Sequence, residues 1–171
     1  YSVPSVWVPD CFLFRQIYDF PRMVKNTAKA TSTDTIHRVR CKGSSERLVR
    51  NAYTSLTAAS AEIEGRSYGG GVLELEPSEA ERLLFPKQVH EALPLKDIDI
   101  FIRAGRLGAL LDENDRLVLK DGLGFSGKEC TMLRDIWQKM RTRRQMRRRS
   151  PRVETASSGE LFPDVAVNAL V

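Results

Sequence analysis

Lys139, Arg141, Arg143, Arg144, Arg147, Arg148 and Arg149 put seven cations into eleven residues. Guanidinium forks match phosphate oxygens, and each phosphate neutralised releases counterions, so a run of this density suits a polyanion. A helix C-terminus also favours cations through its dipole, but that accounts for two or three of them, not for all. A second basic segment mixes its chemistry. Arg15, Arg22, Lys25 and Lys29 precede Thr31, Ser32, Thr33, Asp34 and Thr35, and His37, Arg38 and Arg40 follow. Cations interleaved with hydroxyls suit a sugar–phosphate backbone with one or two side chains reaching base edges. They suit equally a loop that folds on itself, with Asp34 capping the turn and Ser32 and Thr33 bonding backbone groups. Tyr68, Gly69, Gly70 and Gly71 form a third feature: three glycines permit positive φ and a close approach, to a phosphate, to a neighbouring strand, or simply within a tight turn.

Catalytic chemistry has little to draw on. The chain has no Gly-rich fingerprint after a strand, no P-loop, no His-Glu-x-x-His and no Cys-x-x-Cys. Asp112–Glu113–Asn114–Asp115 is acidic enough for calcium, but Arg116 occupies the fifth loop position and breaks the ligand pattern. Asp97 and Asp99 read as a solvated first helical turn rather than a metal pair. Only His37 and His90 are available as histidine bases, and Asp34 and His37, three apart on a strand, would point to opposite faces. Cys11, Cys41 and Cys130 are odd in number and lack metal-ligand spacing, which fits reduced thiols in the cytoplasm.

The elements that must position these groups can be read from pattern. With 171 residues and 42% hydrophobic content, the chain can bury a core of its own. No apolar run approaches the roughly 20 residues needed to span a bilayer, so no membrane partner is expected. Short strands are expected around Val3–Val8 and Phe12–Phe14, bounded by Pro9 and Pro21, and another over 35–41. Trp7 in the first of these could be core or exposed. Leu48, Ala52, Leu56, Ala59 and Ile63 recur at helical spacing and predict one helix over 45–63, stopped by Gly65. Residues 66–75 read as a strand or hairpin interrupted by the glycines. Ser78-x-x-Glu81 and Ser126-x-x-Glu129 have the form of capping boxes, the second opening a long helix to about 148 with Met132, Leu133, Ile136, Trp137 and Met140 as its apolar stripe. Helix is expected again after Pro94, and a short strand at Leu117–Leu119. The fold class is therefore α+β, a small mixed or antiparallel sheet with several helices, with residues 1–149 as one domain and 150–171 as a flexible tail. Charge is unevenly spread: residues 1–43 hold seven cations against three anions, 62–125 eight against thirteen, and 126–152 ten against two. Basic ends flanking an acidic middle suggest a polyanion-facing surface built from the two ends.

Two stretches carry a resemblance. Ala30 to Val39 and Ser67 to Glu79, with Arg15–Gln16–Ile17–Tyr18–Asp19–Phe20–Pro21–Arg22 upstream, resemble the C-terminal target-recognition region of adenine-specific DNA methyltransferases of restriction–modification systems, over roughly Val6 to Arg149. That resemblance implies a class I methyltransferase domain that uses S-adenosylmethionine and flips adenine out of the duplex. This chain has no Pro-Pro pair of the catalytic tetrapeptide and no cofactor loop, so the resemblance implies recognition without catalysis here, with no cofactor in this chain and S-adenosylmethionine in the parent protein. The catalytic domain is expected upstream, since the chain starts at Tyr1 without an initiator methionine. The partners implied are double-stranded DNA and that upstream domain. The DNA-facing residues expected are Arg15, Arg22, Lys25, Ser32, Thr33, Asp34, Thr35, His37, Arg38, Arg40, Tyr68, Gly69, Gly70, Arg141, Arg144 and Arg148. The competing reading is a basic protein-interaction module that docks an acidic partner or its own catalytic domain. A non-specific RNA binder is a third, against which stands the lack of recurrent exposed aromatics.

Overall fold

The computed structural model describes residues 7–33, 35–87 and 89–146. The tail expected from 150 onward, and with it Arg147, Arg148 and Arg149, lies outside the described residues, as does Asp34. Two small antiparallel sheets are formed from the first half of the chain. The first has the order β3-β1-β4, with β1 (Cys11–Phe14) between β3 (Met23–Lys25) and β4 (Ile36–Val39). The second has the order β2-β6-β5, from β2 (Gln16–Ile17), β6 (Val72–Glu74) and β5 (Arg66–Tyr68). With six α-helices beside them among the described residues, the class is α+β. Strand alternation sets the faces: Cys11, Leu13 and Met23 point to the core, whereas Phe12, Phe14 and Val24 point away.

The helix expected over 45–63 is two helices, α1 (Ser45–Ala52) and α2 (Ser55–Glu64). Thr54 is extended and its hydroxyl accepts the Thr57 N–H, capping α2. The carbonyls of Arg50 and Tyr53, left free at the end of α1, accept from the Nδ2 of Asn114 at 2.9 and 2.8 Å. Asn114 in turn accepts the Leu93 N–H at 2.9 Å. The break re-phases the pattern, so Ile63 is exposed although Ala52 and Ala59 are buried.

Beyond the second sheet, α3 (Pro77–Arg82) starts from a reciprocal cap between Glu76 and Glu79, two residues before the Ser78–Glu81 pair that the pattern suggested. α4 (Leu95–Arg103) and α5 (Leu107–Asn114) follow Pro94. The short strand expected at Leu117–Leu119 is instead part of a π-helical segment, Asp115–Gly122, that continues α5 directly. A short apolar run bounded by polar residues fits a buried helix as well as a strand, and here Val118 and Leu119 pack with Val89 and Ala92. The Ser126–Glu129 capping box is present: Glu129 accepts the Ser126 N–H at 2.8 Å and Ser126 Oγ accepts the Glu129 N–H at 3.2 Å. It opens α6 (Gly127–Met146), which packs along α2.

The core gathers where the sheets, α1, α2 and α6 meet. Phe20 stacks on Tyr53 at 5.6 Å and meets Trp137 edge-on at 5.9 Å. The Tyr53 hydroxyl donates to the Met23 carbonyl and the Trp137 indole to that of Asp19, so both rings are buried with their polar tips satisfied. On α6 the buried face runs through Trp137 and Arg144, not through Met132 and Met140, which are exposed.

Candidate nucleic-acid interface

β4 is an edge strand, and its alternation divides the predicted residues. Arg38 pairs in register with Phe12 and shares its outward face, whereas His37 pairs with the buried Leu13. His37 Nε2–H donates to the Leu75 carbonyl at 2.7 Å, so that histidine ties β4 to the end of β6. Outside, the guanidinium carbons of Arg38 and Arg40 lie 5.2 and 4.7 Å from the centroid of the Trp7 ring. A guanidinium attracted to an aromatic face keeps its in-plane N–H donors for a further partner. Both arginines are exposed, and among the described residues neither makes an ion pair. Trp7, ambiguous in the sequence, is thus the platform that aligns the two.

The loop before β4 is held from within. Asn26 donates to the carbonyls of Pro9 and Ala30, both at 2.8 Å, and accepts the Ala30 N–H at 3.0 Å. Lys29 sits at φ 51 in that turn. Ser32 Oγ reaches the Ile36 carbonyl at 3.5 Å, while Thr33 and Thr35 are exposed. Of the cations nearby, Arg22 is exposed, Lys25 pairs with Glu46 at 2.9 Å, and Arg15 pairs with Glu74 at 2.8 Å and Glu76 at 2.5 Å. Arg15 and Lys25 therefore already have anionic partners.

The glycine turn belongs to a different contact. Gly69–Gly71 is a tight turn between β5 and β6, with Gly70 at φ 82. Tyr68 is half exposed, and nothing lies within 4 Å of where a Cβ would stand on Gly69 or Gly70. Gly71 has φ 76, and a Cβ there would stand 3.1 Å from the Cα of Gln145 on α6. The close approach is to a helix. Gly71→Ala should therefore destabilise the fold by more than Gly70→Ala, because both incur the left-handed backbone cost of about 1–2 kcal/mol but only Gly71 meets a backbone. Paired denaturant titrations would show it, and equal losses would refute the packing role of Gly71.

At that contact Arg144 turns inward. Its Nη2 meets Glu62 Oε1 at 2.6 Å, its Nε meets Glu62 Oε2 at 3.1 Å, and it donates further to the carbonyls of Gly71 and Tyr18. Only 4% of the residue is exposed and four of its five N–H donors are used within the protein, so it is a docking group for α6. Arg141 lies over Trp137 at 4.6 Å. Lys139 and Arg143 are exposed on α6.

None of the three thiols is activated. Burial and the neighbouring Cys41 push the Cys11 thiol up to about 12, and burial also raises Cys41 and Cys130. A thiol in that state is a poor nucleophile at neutral pH. Among the described residues no group of three histidine, cysteine or acidic side chains is placed to hold a metal. No helix among them is long and apolar enough to cross a membrane.

One basic cluster escaped the sequence. A cavity of about 490 Å³ between the end of β4 and the start of α1 is lined by Arg40, Lys42, Arg47 and Lys87. Lys42 and Arg47 are scattered singly in the sequence and Lys87 comes from the loop after α3, so no local pattern signals the group.

No curated protein and no solved structure matches the chain significantly. A family model does match residues 1–119, that of the Type II methyltransferase M.Eco57I, C-terminal domain. The matched segment holds both sheets, the Trp7–Arg38–Arg40 face and the glycine turn, and ends within the π-helical segment. The chain belongs to the family of the C-terminal domain of the Type II methyltransferase M.Eco57I, a restriction–modification methyltransferase family.

Proposed function

We propose that this chain is the part of an adenine-specific DNA methyltransferase that recognises a short duplex sequence and presents one adenine to a catalytic domain elsewhere in the protein. The observation that carries this reading is the pair Arg38 and Arg40, aligned on Trp7 at the edge strand and without a carboxylate partner among the described residues. A strand with two outward guanidiniums can lie along a groove, where an arginine fork pairs with guanine or spans phosphate oxygens. Thr33, Thr35 and Ser32 from the preceding loop, Arg22 beside it, and Tyr68 with Gly69 and Gly70 complete the surface, with Lys139, Arg141 and Arg143 adding phosphate contacts along α6. Residues 1–149 would act as one recognition unit.

S-adenosylmethionine belongs to the catalytic domain in this reading. The described residues do not fit it: both sheets are antiparallel and no glycine-rich turn joins a strand to a helix in the manner of a class I methyltransferase. An enzyme of this kind works on DNA in the cytoplasm.

The test is a fluorescence-anisotropy titration of the chain with mixed-sequence and candidate-site duplexes at two salt concentrations. Binding should fall steeply as salt rises. Arg38→Ala should weaken binding to the preferred duplex by about 10- to 100-fold, the range of one good base contact of roughly 1–3 kcal/mol, and weaken mixed-sequence binding less. Equal losses would make Arg38 a plain phosphate contact. No binding even at low salt would overturn the reading in favour of a basic module that docks a protein.

A further inference from the structure

We propose that the cavity between β4 and α1 seats a backbone phosphate of the bound duplex, extending the proposed DNA surface around the end of the edge strand. The inference rests on the DNA-recognition reading and adds a site to it. Four cations from three segments line the cavity: Arg40 at the exit of β4, Lys42 in the connection, Arg47 in the first turn of α1, and Lys87 from the loop after α3. Among the described residues no carboxylate lines it. Of the acids nearby, Glu46 is held by Lys25 at 2.9 Å and Asp10 accepts the Cys41 N–H at 2.8 Å. Among the described residues none of the four cations makes an ion pair, whereas Arg15, Arg66, Arg82, Arg103, Arg116 and Arg134 do.

A concavity lined by four positive charges and no carboxylate among the described residues has a field that attracts an anion. The Nη2 of Arg47 lies 3.7 Å from where a Cβ on residue 43 would stand, so the guanidinium folds back over the connection at ordinary contact distance. The remaining lining is Cys41, Ser44 and Leu48 beside Gly43. No aromatic ring is present to hold a base, which favours a phosphodiester over a whole nucleotide. Arg40 belongs to both features, since its guanidinium also lies over Trp7. A strand of DNA on the Arg38–Arg40 face therefore passes the mouth of the cavity, and the phosphate it places there is held without regard to sequence.

Lys42 and Lys87 are both exposed, so neutralising them leaves the fold intact. The experiment compares the full chain, Lys42→Gln with Lys87→Gln, and the control pair Lys96→Gln with Lys128→Gln, in anisotropy titrations of mixed-sequence and preferred duplexes across a salt series. The cavity pair should weaken all duplexes by a similar factor and make the slope of log affinity against log salt shallower by about 1 to 2, while the control pair leaves the slope unchanged. If the unmodified chain binds and the cavity pair does not alter the slope, or the control pair alters it equally, the phosphate seat is overturned and the recognition reading stands. If the unmodified chain shows no salt-dependent binding, both are overturned.

Discussion

Arg144→Ala is expected to destabilise the folded chain by about 3–5 kcal/mol, the range for removing one partner of a buried ion pair. Glu62 is 7% exposed and Arg144 4%. Truncation would leave the Glu62 carboxylate in the interior without its two guanidinium contacts, and would free the carbonyls of Gly71 and Tyr18. A domain of ordinary stability has about 5–15 kcal/mol to lose, so the variant should sit near the edge of folding. The double replacement Glu62→Leu with Arg144→Met should recover much of the loss, because matched apolar groups avoid the desolvation cost that the lone carboxylate cannot. Urea titrations of the three variants measure this directly. A loss below about 1 kcal/mol for Arg144→Ala would mean that Arg144 is free in solution, and it would return that residue to the DNA-facing set.

Asn114→Asp should cost at least about 3 kcal/mol, although the two side chains have nearly the same volume. The Asn114 amide donates to the carbonyls of Arg50 and Tyr53, and its Oδ1 accepts the Leu93 N–H. A carboxylate keeps the acceptor but sets an anionic oxygen against two carbonyl oxygens in a fully buried position, and each unsatisfied buried group costs about 1–3 kcal/mol. Asn114→Ala removes all three bonds and should cost a similar amount. Thermal melting near neutral pH is the readout. An aspartate variant that melts with the parent chain would show that the end of α1 is not held from α5.

These two positions also mark how far the sequence could be read. The capping box at Ser126 and Glu129 and the glycine turn between β5 and β6 were both legible, because each depends on groups a few residues apart. The basic ends and acidic middle were equally plain, being a matter of composition, and the family resemblance added the function class. The break at Tyr53 and Thr54 was not legible. The spacing of apolar residues runs through it, and the carbonyls freed there find their partner in Asn114, some 60 residues on. The inward turn of Arg144 was hidden for the same reason. A cation on α6 is solvated or buried according to what α2 presents to it, and Glu62 is 82 residues away in sequence.

The sequence by itself therefore determined the local devices of this protein, its α+β class and the sign of its surface charge. Only the tertiary structure decided which cations remain free to meet an anion. A charge is available or spent according to the nearest opposite charge in space, and that neighbour is set by packing between distant elements: Arg15 goes to Glu74 and Glu76, and Arg144 to Glu62, while Arg38, Arg40, Lys42 and Lys87 make no ion pair among the described residues.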